Sequence, residues 1–486
     1  MSQAIAQSLS AGRLARLQLL SADQLNRAAE LIARVEADGL ETVRVVFADP
    51  HGILRGKTVV SSALGAVFRD GLNVPGTLLL KDSSNSTVFP VWEGQEAAGV
   101  ASLGGAADML LVPDPDTFRV LPWAPHSAWL FCDPYARDGA PLPFAPRPVL
   151  RRALSDLSAM GMGLTVGLEV EFHVFEMTDP ALEHKDAGMP GRPPKTRLLD
   201  QGYQFLSETS YDRMEPVMDM LRRNAQALGL SVRTTEVEMG PSQFEFTFDP
   251  ADALTHADNM MRFRAMVKET CAREGLHATF MSRPKVDNTA ASGWHLHQSL
   301  TDAQGTNLFT PMTEGQLTPQ ASGWIAGLLE HAPACCLLTT PTVNGYKRYQ
   351  PFQLAPDRIE WGTDNRGAMI RALLSPGDPA SRIENRVAEP AANPYFCLAA
   401  QVVAGLDGLN AGRHPPAPVE TPYDSDGRAL PSSLIDAIEA FESSTLFSNA
   451  LGEDFTSYLS QLKRAEWQRY LSTVSEWEQR EYFGIL

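Results

Sequence analysis

The sequence predicts an α+β protein in two parts, a small β-rich segment over residues 1–140 and a larger mixed segment over 141–486. Three observations lead there. Strings such as Gly167-Leu168-Glu169-Val170-Glu171-Phe172-His173 and Gly293-Trp294-His295-Leu296-His297 alternate with the period of a strand. Stretches with helical spacing lie between such strings, which suits strands with helices grouped among them. Four prolines within 141–148 mark a boundary between the two parts.

The elements follow in order. Leu25, Ala28, Ala29, Leu31, Ile32 and Val35 recur at helical spacing over 22–37. Residues 42–48 read as a strand, Asp49-Pro50-His51-Gly52 as a turn and the following residues as a second strand. Short strands punctuated by Gly and Pro continue to about Asp116. A helix restarts at 149–160, with others at 213–228 and 257–274. Residues 310–319 and 414–428 read as surface loops, and 431–482 as a largely helical tail opened by Pro431-Ser432-Ser433.

Composition narrows the function. A net charge of −17 with no basic stretch argues against nucleic acid. No apolar run approaches membrane-spanning length, and the first residues carry no secretory signal pattern. The five cysteines, Cys132, Cys271, Cys335, Cys336 and Cys397, form no Cys-x-x-Cys. They are expected to be reduced and mostly buried, in a cytoplasmic protein.

The chemistry lies in the alternating strings. Glu169 and Glu171 fall on one strand face, as do His295 and His297. Glu238, Glu245 and Glu384 add further carboxylates, and Arg348, Arg366, Arg371, Arg382 and Arg386 follow. Charges rarely line a sheet face unless metal or phosphate compensates them. Five glutamates and one histidine suit Mg²⁺ or Mn²⁺, and nothing has the spacing of structural zinc. Arginine forks bind carboxylate and phosphate, so metal beside arginine points to phosphoryl transfer. No P-loop string is present.

These strings resemble the glutamine synthetase family nearly end to end. They are joined by Asp49-Pro-His-Gly-Ile-Leu-Arg-Gly-Lys57, Asp108-Met-Leu-Leu-Val-Pro-Asp-Pro-Asp-Thr-Phe-Arg119, Cys132-Asp133, Pro341-Thr-Val-Asn-Gly-Tyr-Lys-Arg348 and Asp364-Asn-Arg-Gly-Ala-Met-Ile-Arg371. The resemblance implies a small β-grasp-like domain before a large catalytic domain with an antiparallel sheet. It also implies a homo-oligomeric ring, usually a dodecamer, with active sites between subunits. By position, Glu171, Glu238 and Glu245 resemble the ligands of one metal. Glu169, His295 and Glu384 resemble those of the metal nearest the nucleotide phosphates. His297 and Ser299 match nucleotide-contacting positions, and Arg371 and Arg382 phosphate-contacting ones. Arg348 and Arg366 match the arginines that hold L-glutamate, with Arg386 nearby. The implied cofactors are ATP and two or three Mg²⁺ or Mn²⁺ ions. The implied reaction passes through γ-glutamyl phosphate, which an amine then attacks to leave an amide.

The departures are informative. Relatives that use ammonium carry a glutamate in a Pro-Gly-x-Glu-Ala-Pro string, and here Pro351-Phe-Gln-Leu-Ala-Pro356 puts Leu354 in its place. Their second ammonium contact, an aspartate from the neighbouring subunit, falls on Lys81 or on Asp82. Ala290-Ala291 replace an Asn-Gly on the glutamate-binding side, and Ser242 replaces a glycine. A leucine removes the counter-charge that a desolvated ammonium needs. A bulkier amine is therefore expected, as in the γ-glutamylamide synthetase branch. Leu354 favours a hydrophobic or aromatic amine such as aniline over cationic polyamines and alkylamines. Phe352, Phe89 and Trp92 are candidates to wall its pocket. The alternatives are a polyamine or alkylamine ligase, an ammonium-using synthetase with a rebuilt site, a non-catalytic ring, or a hydrolase of γ-glutamylamides. Tyr423, in a region where some relatives are adenylylated, reads as a plain exposed loop tyrosine.

Overall fold

The computed structural model describes residues 2–92, 98–352 and 354–486. The first sheet is built from β1 (Thr42–Ala48), β2 (Leu54–Val60), β3 (Leu72–Pro75), β4 (Asp108–Pro113), β5 (Arg119–Leu121) and β6 (Ala124–Tyr135). Its order is β2-β1-β6-β4-β3, with β5 also on β6. The β1–β6 pair is parallel and the others antiparallel. The Ala22–Ala37 helix starts at a capping box in which Ser21 and Gln24 satisfy each other's backbone amides. Its buried face is Leu25, Ala28, Ala29, Leu31 and Val35, and the predicted stripe differs only in Ile32, which is half-buried.

The second sheet contains β7 (Met162–Asp179), β8 (Lys195–Arg197), β9 (Val232–Val237), β10 (Gln243–Phe248), β11 (Ala251–Asp252), β12 (Leu276–Thr279), β13 (Trp294–Asp302), β14 (Trp361–Thr363), β15 (Ile370–Leu373) and β16 (Arg382–Asn385). Its main order is β14-β15-β16-β13-β7-β10-β9, antiparallel except for β14–β15. The 18-residue β7 is the spine, pairing along its length with β13, β10, β11, β12 and β8. The helices Pro146–Ala159 and Ala253–Arg273 pack against β7, and Pro319–Glu330 and Pro394–Asn410 meet β13 through Trp324 and Gln401, which both bond to Gln298. Among the described residues no helix is long and apolar enough to cross a membrane.

Several expectations need adjustment. The helices expected at 213–228 and 257–274 begin earlier, at Glu208 and at Ala253, the second capped by the Asp252 carboxylate on the Thr255 amide. Residues before Asp116 include the Leu64–Asp70 helix and several 3₁₀ turns as well as strands. The 414–428 segment does not simply run over the surface. The Trp361 indole donates to the Pro416 carbonyl, and the Val419 amide donates to the Trp361 carbonyl.

The two sheets are clamped by a buried ion network. Arg147 makes a bidentate pair with Asp258 at 2.9 and 3.0 Å and also reaches Asp114 at 2.9 Å. The Tyr395 hydroxyl donates to Asp258 at 2.7 Å. Buried charges are tolerated here because each is partnered; deleting one would strand the others. The C-terminal Glu453–Leu471 helix returns to the N-terminal part of the chain, where the Tyr458 hydroxyl donates to the Leu79 carbonyl. Tyr458 stacks on Phe144 at 4.0 Å and on Phe89 at 5.5 Å between ring centroids. Phe89 is therefore a core residue, not the wall of an amine pocket, because this helix supplies its apolar partner.

Candidate active site

The site is a row of side chains laid across neighbouring strands by their register. Glu245 stands directly opposite Glu171 on the β10–β7 pair. His295 stands opposite Glu169 on β13–β7, His297 opposite Glu384 on β13–β16, and Arg371 opposite Glu384 on β15–β16. Residues two apart share a face, so one face of the sheet carries the whole constellation.

The contacts are short. His295 Nδ1 lies 2.6 Å from Glu169 Oε1 and 3.6 Å from Glu384 Oε1, and its Nε2 lies 3.6 Å from Glu171. His297 Nε2 lies 3.0 Å from Glu169 Oε2. Donor atoms of Glu169, Glu245 and His295 fall within 4.8 Å of one another, and so do those of Glu169, His297 and Glu384. Both sets fit a hard or borderline divalent cation. Glu171 and Glu238 stand outside these two groups. Glu238 follows β9, and its carboxylate accepts from the Met239 amide at 2.9 Å.

The electrostatics suit a bound cation. Burial and the neighbouring Glu238 push Glu171 up to about 8. Burial together with Glu169 and Glu171 holds Glu245 well above the carboxylate range. Glu169 behaves oppositely: although burial opposes it, hydrogen bonds with His295 and His297 lower its value. Burial and Arg386 bring His295 down to about 4, leaving the neutral imidazole that a metal requires.

Arginines enclose the row. Arg371 donates to Glu384 at 3.0 Å and to Asp364 at 2.6 and 2.9 Å. Arg386 pairs with the other oxygen of Glu384. Arg348 Nη2 lies 3.3 Å from His295 Nε2, and Arg382 donates to His297 Nδ1 at 3.1 Å. A Cβ on Gly293 would fall 2.5 Å from Arg348 Nη2, so the close approach of this guanidinium requires glycine there. A cavity of about 850 Å³ adjoins the row, lined by Glu169, His297, Ser299, Arg366, Arg371 and Arg382 among others. Its volume is that of a drug-sized or cofactor-sized ligand.

Not every expected residue joins this group. Arg348 is buried behind His295, whereas Arg366 is exposed on the cavity wall beside Arg371. The two arginines expected to hold glutamate thus differ in burial. Asp82 accepts from the Ser84 and Ser86 amides and pairs with Arg469, and Lys81 donates to the Asn85 carbonyl. Neither bonds to the Glu–His row of its own chain. Trp92 is 81 % exposed.

Of Leu354 and Phe352, the first reaches the site through its backbone. The Leu354 carbonyl accepts from Arg386 Nη2 at 3.1 Å, and both side chains are exposed. Their φ values, 52° and 61°, are left-handed, which non-glycine residues adopt only under local constraint. Tyr423 supplies part of that constraint. It is half-buried rather than an exposed loop tyrosine, with its ring 5.0 Å from that of Phe352 and its hydroxyl 3.4 Å from the Ala355 carbonyl.

Some site residues escaped the sequence reading. Gln243 donates to Glu171 at 3.0 Å and to Ser292 at 3.1 Å, while its carbonyl accepts from the Gly240 amide at 2.7 Å. It thereby ties Glu171 to the turn that carries Glu238. His173, fully buried, meets Ser292 at 3.3 Å. Extending the alternation by two residues from Glu171 and from Glu245 finds both. Tyr203 packs beside the Glu238 turn, with its amide on the Met239 carbonyl at 2.7 Å, and no local pattern flags it. Ser242 has φ 56°, and its hydroxyl accepts from the Leu199 amide at 2.7 Å, tying this segment down.

Comparisons with known proteins point to one family. The family profile "Glutamine synthetase, catalytic domain" matches residues 143–482. A gamma-glutamylanilide synthase of Acinetobacter sp is 38% identical over 483 residues, 95% of this chain and 97% of that protein. The gamma-glutamylethanolamide synthetase GlnA4 of Streptomyces coelicolor is 33% identical, covering 93% and 95%. A glutamine synthetase of Halobacterium salinarum is 34% identical, covering 92% and 94%. A solved GmaS/ADP complex superposes with a TM-score of 0.78 at 29% identity, covering 93% of this chain and 99% of the other.

Proposed function

This chain belongs to the glutamine synthetase family, and we propose that it is an ATP-dependent ligase that joins the γ-carboxylate of L-glutamate to an amine. The observation that carries the reading is the register-paired row Glu245/Glu171, Glu169/His295, His297/Glu384 and Glu384/Arg371 beside the large cavity. It offers cation ligands, phosphate-binding arginines and space for a nucleotide in one place.

Glu169, Glu245, His295 and Glu384, with Glu171 and Glu238 close by, would hold two or three Mg²⁺ or Mn²⁺ ions. Bound there, divalent cations neutralise the crowded phosphate charge. Arg371 and Arg382 face the cavity and would hold the polyphosphate, with His297 and Ser299 against the nucleotide. Arg348, Arg366 and Arg386 are assigned to glutamate, with Arg348 and Arg386 set beside the acceptor and Arg366 at the wall. The γ-carboxylate oxygen attacks the γ-phosphorus and ADP departs. The amine nitrogen then attacks the acyl carbon, phosphate leaves, and a proton is lost from nitrogen. The residues act by position and field, with no covalent enzyme intermediate.

The amine is assigned to a hydrophobic, aniline-like class. The Leu354 carbonyl accepts from Arg386, the Leu354 and Phe352 side chains are exposed, and no carboxylate stands at position 354 to receive a cation. An arylamine is neutral at physiological pH and needs none. The relative named for anilide supports this class; the relative named for ethanolamide supports the alkylamine alternative. A cytoplasmic homo-oligomeric ring is part of the proposal and rests on the family to which the chain belongs.

The test is purified protein with ATP, Mg²⁺ or Mn²⁺, L-glutamate and a panel of aniline, ethylamine, ethanolamine, putrescine and ammonium. Phosphate release and the γ-glutamylamide are read by mass spectrometry. Aniline is expected to give the highest kcat/KM. The highest kcat/KM with ammonium would refute the amine assignment, and no ATP-dependent amide with any amine would refute the ligase.

A further inference from the structure

A second cavity, about 490 Å³, lies between the β1–β2 turn and the helices beneath the second sheet. It shares no lining residue with the cavity beside the Glu–His row. Its walls are mainly apolar, with Ile53, Leu54, Met261, Leu337, Leu338 and Leu459 among them. An apolar cavity of this size is unusual unless something fills it.

Its charges do not balance. Arg264 is 7 % exposed and lines the cavity, yet its hydrogen bonds go only to the Pro390, Ala392 and Gly52 carbonyls and to Met261 Sδ. No carboxylate among the described residues pairs with it. The turn is built around this guanidinium, since a Cβ on Gly52 (φ 69°) would lie 2.5 Å from Arg264 Nη2. Lys268 also lines the cavity and has no ion-pair partner among the described residues. The 3 % exposed Lys463 makes one hydrogen bond, to Glu466 at 3.0 Å, which leaves two of its three ammonium donors without a partner among the described residues. Of the carboxylates on the wall, Glu466 is taken by Lys463 and Glu269 by Arg44 at 2.8 Å. Two cations thus line an apolar space with no counter-charge, the Arg264 guanidinium buried and the Lys268 ammonium exposed at its edge, and the buried charge attracts an anion strongly because little water screens it.

We propose that this cavity is a binding site for a small amphipathic carboxylate, its head between Arg264, Lys268 and Lys463 and its apolar body against Ile53, Met261 and Leu338. The occupant also sits against Thr342 and Asn344, in the segment that leads to Arg348. A ligand here therefore bears on the loop that delivers an arginine to His295.

Hexanoate is the probe, with acetate (head without body) and hexanol (body without charge) as controls. The full-length protein is titrated calorimetrically with each, and its thermal midpoint is followed. Hexanoate is expected to bind saturably with a Kd of about 1 mM or tighter, and both controls at least about tenfold more weakly. Lys268→Ala should weaken hexanoate about tenfold, and Ala265→Phe, which fills the cavity from its wall, should abolish binding. Neither residue is assigned to the catalytic site, so both variants should keep ligase activity. Hexanol binding as tightly as hexanoate, no hexanoate binding to the parent protein, or affinity unchanged in both variants would overturn the proposal.

Discussion

Removing one carboxylate from the site should make the metal-free protein more stable. Glu171 is 8 % exposed, faces Glu245 across β7–β10 and has Glu238 nearby. Burial and Glu238 raise it from an ordinary 4.5 to about 8. The sign follows directly. A folded-state value above the unfolded one means the fold holds the proton more tightly. Relative stability is complete below pH 4.5 and is lost as pH rises towards 8. Full ionisation then costs about 5 kcal/mol, and the part incurred between pH 6 and pH 8 is about 2–3 kcal/mol. Glu171→Gln keeps an oxygen to accept from Gln243 and Gly293, as Glu171 now does at 3.0 and 3.1 Å, but cannot ionise. In EDTA, the wild-type thermal midpoint should fall by several degrees from pH 6 to pH 8, and that of the variant by much less. Mg²⁺ should restore the wild type most at pH 8 and the variant little. A wild-type midpoint that is flat or rising over this interval, or a variant less stable than wild type at pH 8 without metal, would refute the electrostatic reasoning.

Leu354→Glu should raise kcat/KM for ammonium about tenfold or more and lower it for aniline, in steady-state assays with each amine. Phe89→Ala should lower the unfolding free energy by about 3–5 kcal/mol in urea melts, because it empties a stacked core position. The same variant should leave the KM for amine unchanged, which separates a core role from a pocket wall. Arg382→Ala should raise the KM for ATP about tenfold while the glutamate KM moves less than twofold. Arg386→Ala strands the fully buried Glu384 beside one remaining arginine and frees the Leu354 carbonyl; it should cost about 3–5 kcal/mol in stability and weaken ligase turnover more than a hundredfold.

Much of the site was legible in the chain because strand geometry is local. Period-two alternation alone places Glu169 with Glu171 and His295 with His297, and the choice of carboxylate, imidazole and guanidinium states the chemistry. The turn at Asp49–Gly52 and the start of the helical tail at Pro431-Ser432-Ser433 were readable for the same reason: their signals lie within a few residues of the feature they specify. Register was not legible. That Glu171 faces Glu245 and Glu384 faces both His297 and Arg371 depends on pairings between strands distant in sequence.

The alternating strings determined by themselves which atoms are available and what cations and phosphates they would accept. Tertiary packing decided which of them meet. Asp82 lies 387 residues from the Arg469 that neutralises it, and Phe89 is buried by Tyr458 rather than left to line a pocket. Tyr423 crosses the fold to support Phe352, while Arg366 is exposed on the cavity wall and Arg348 is buried. These outcomes rest on charge pairing and apolar burial between distant segments, and such energies exist only once the chain has closed on itself.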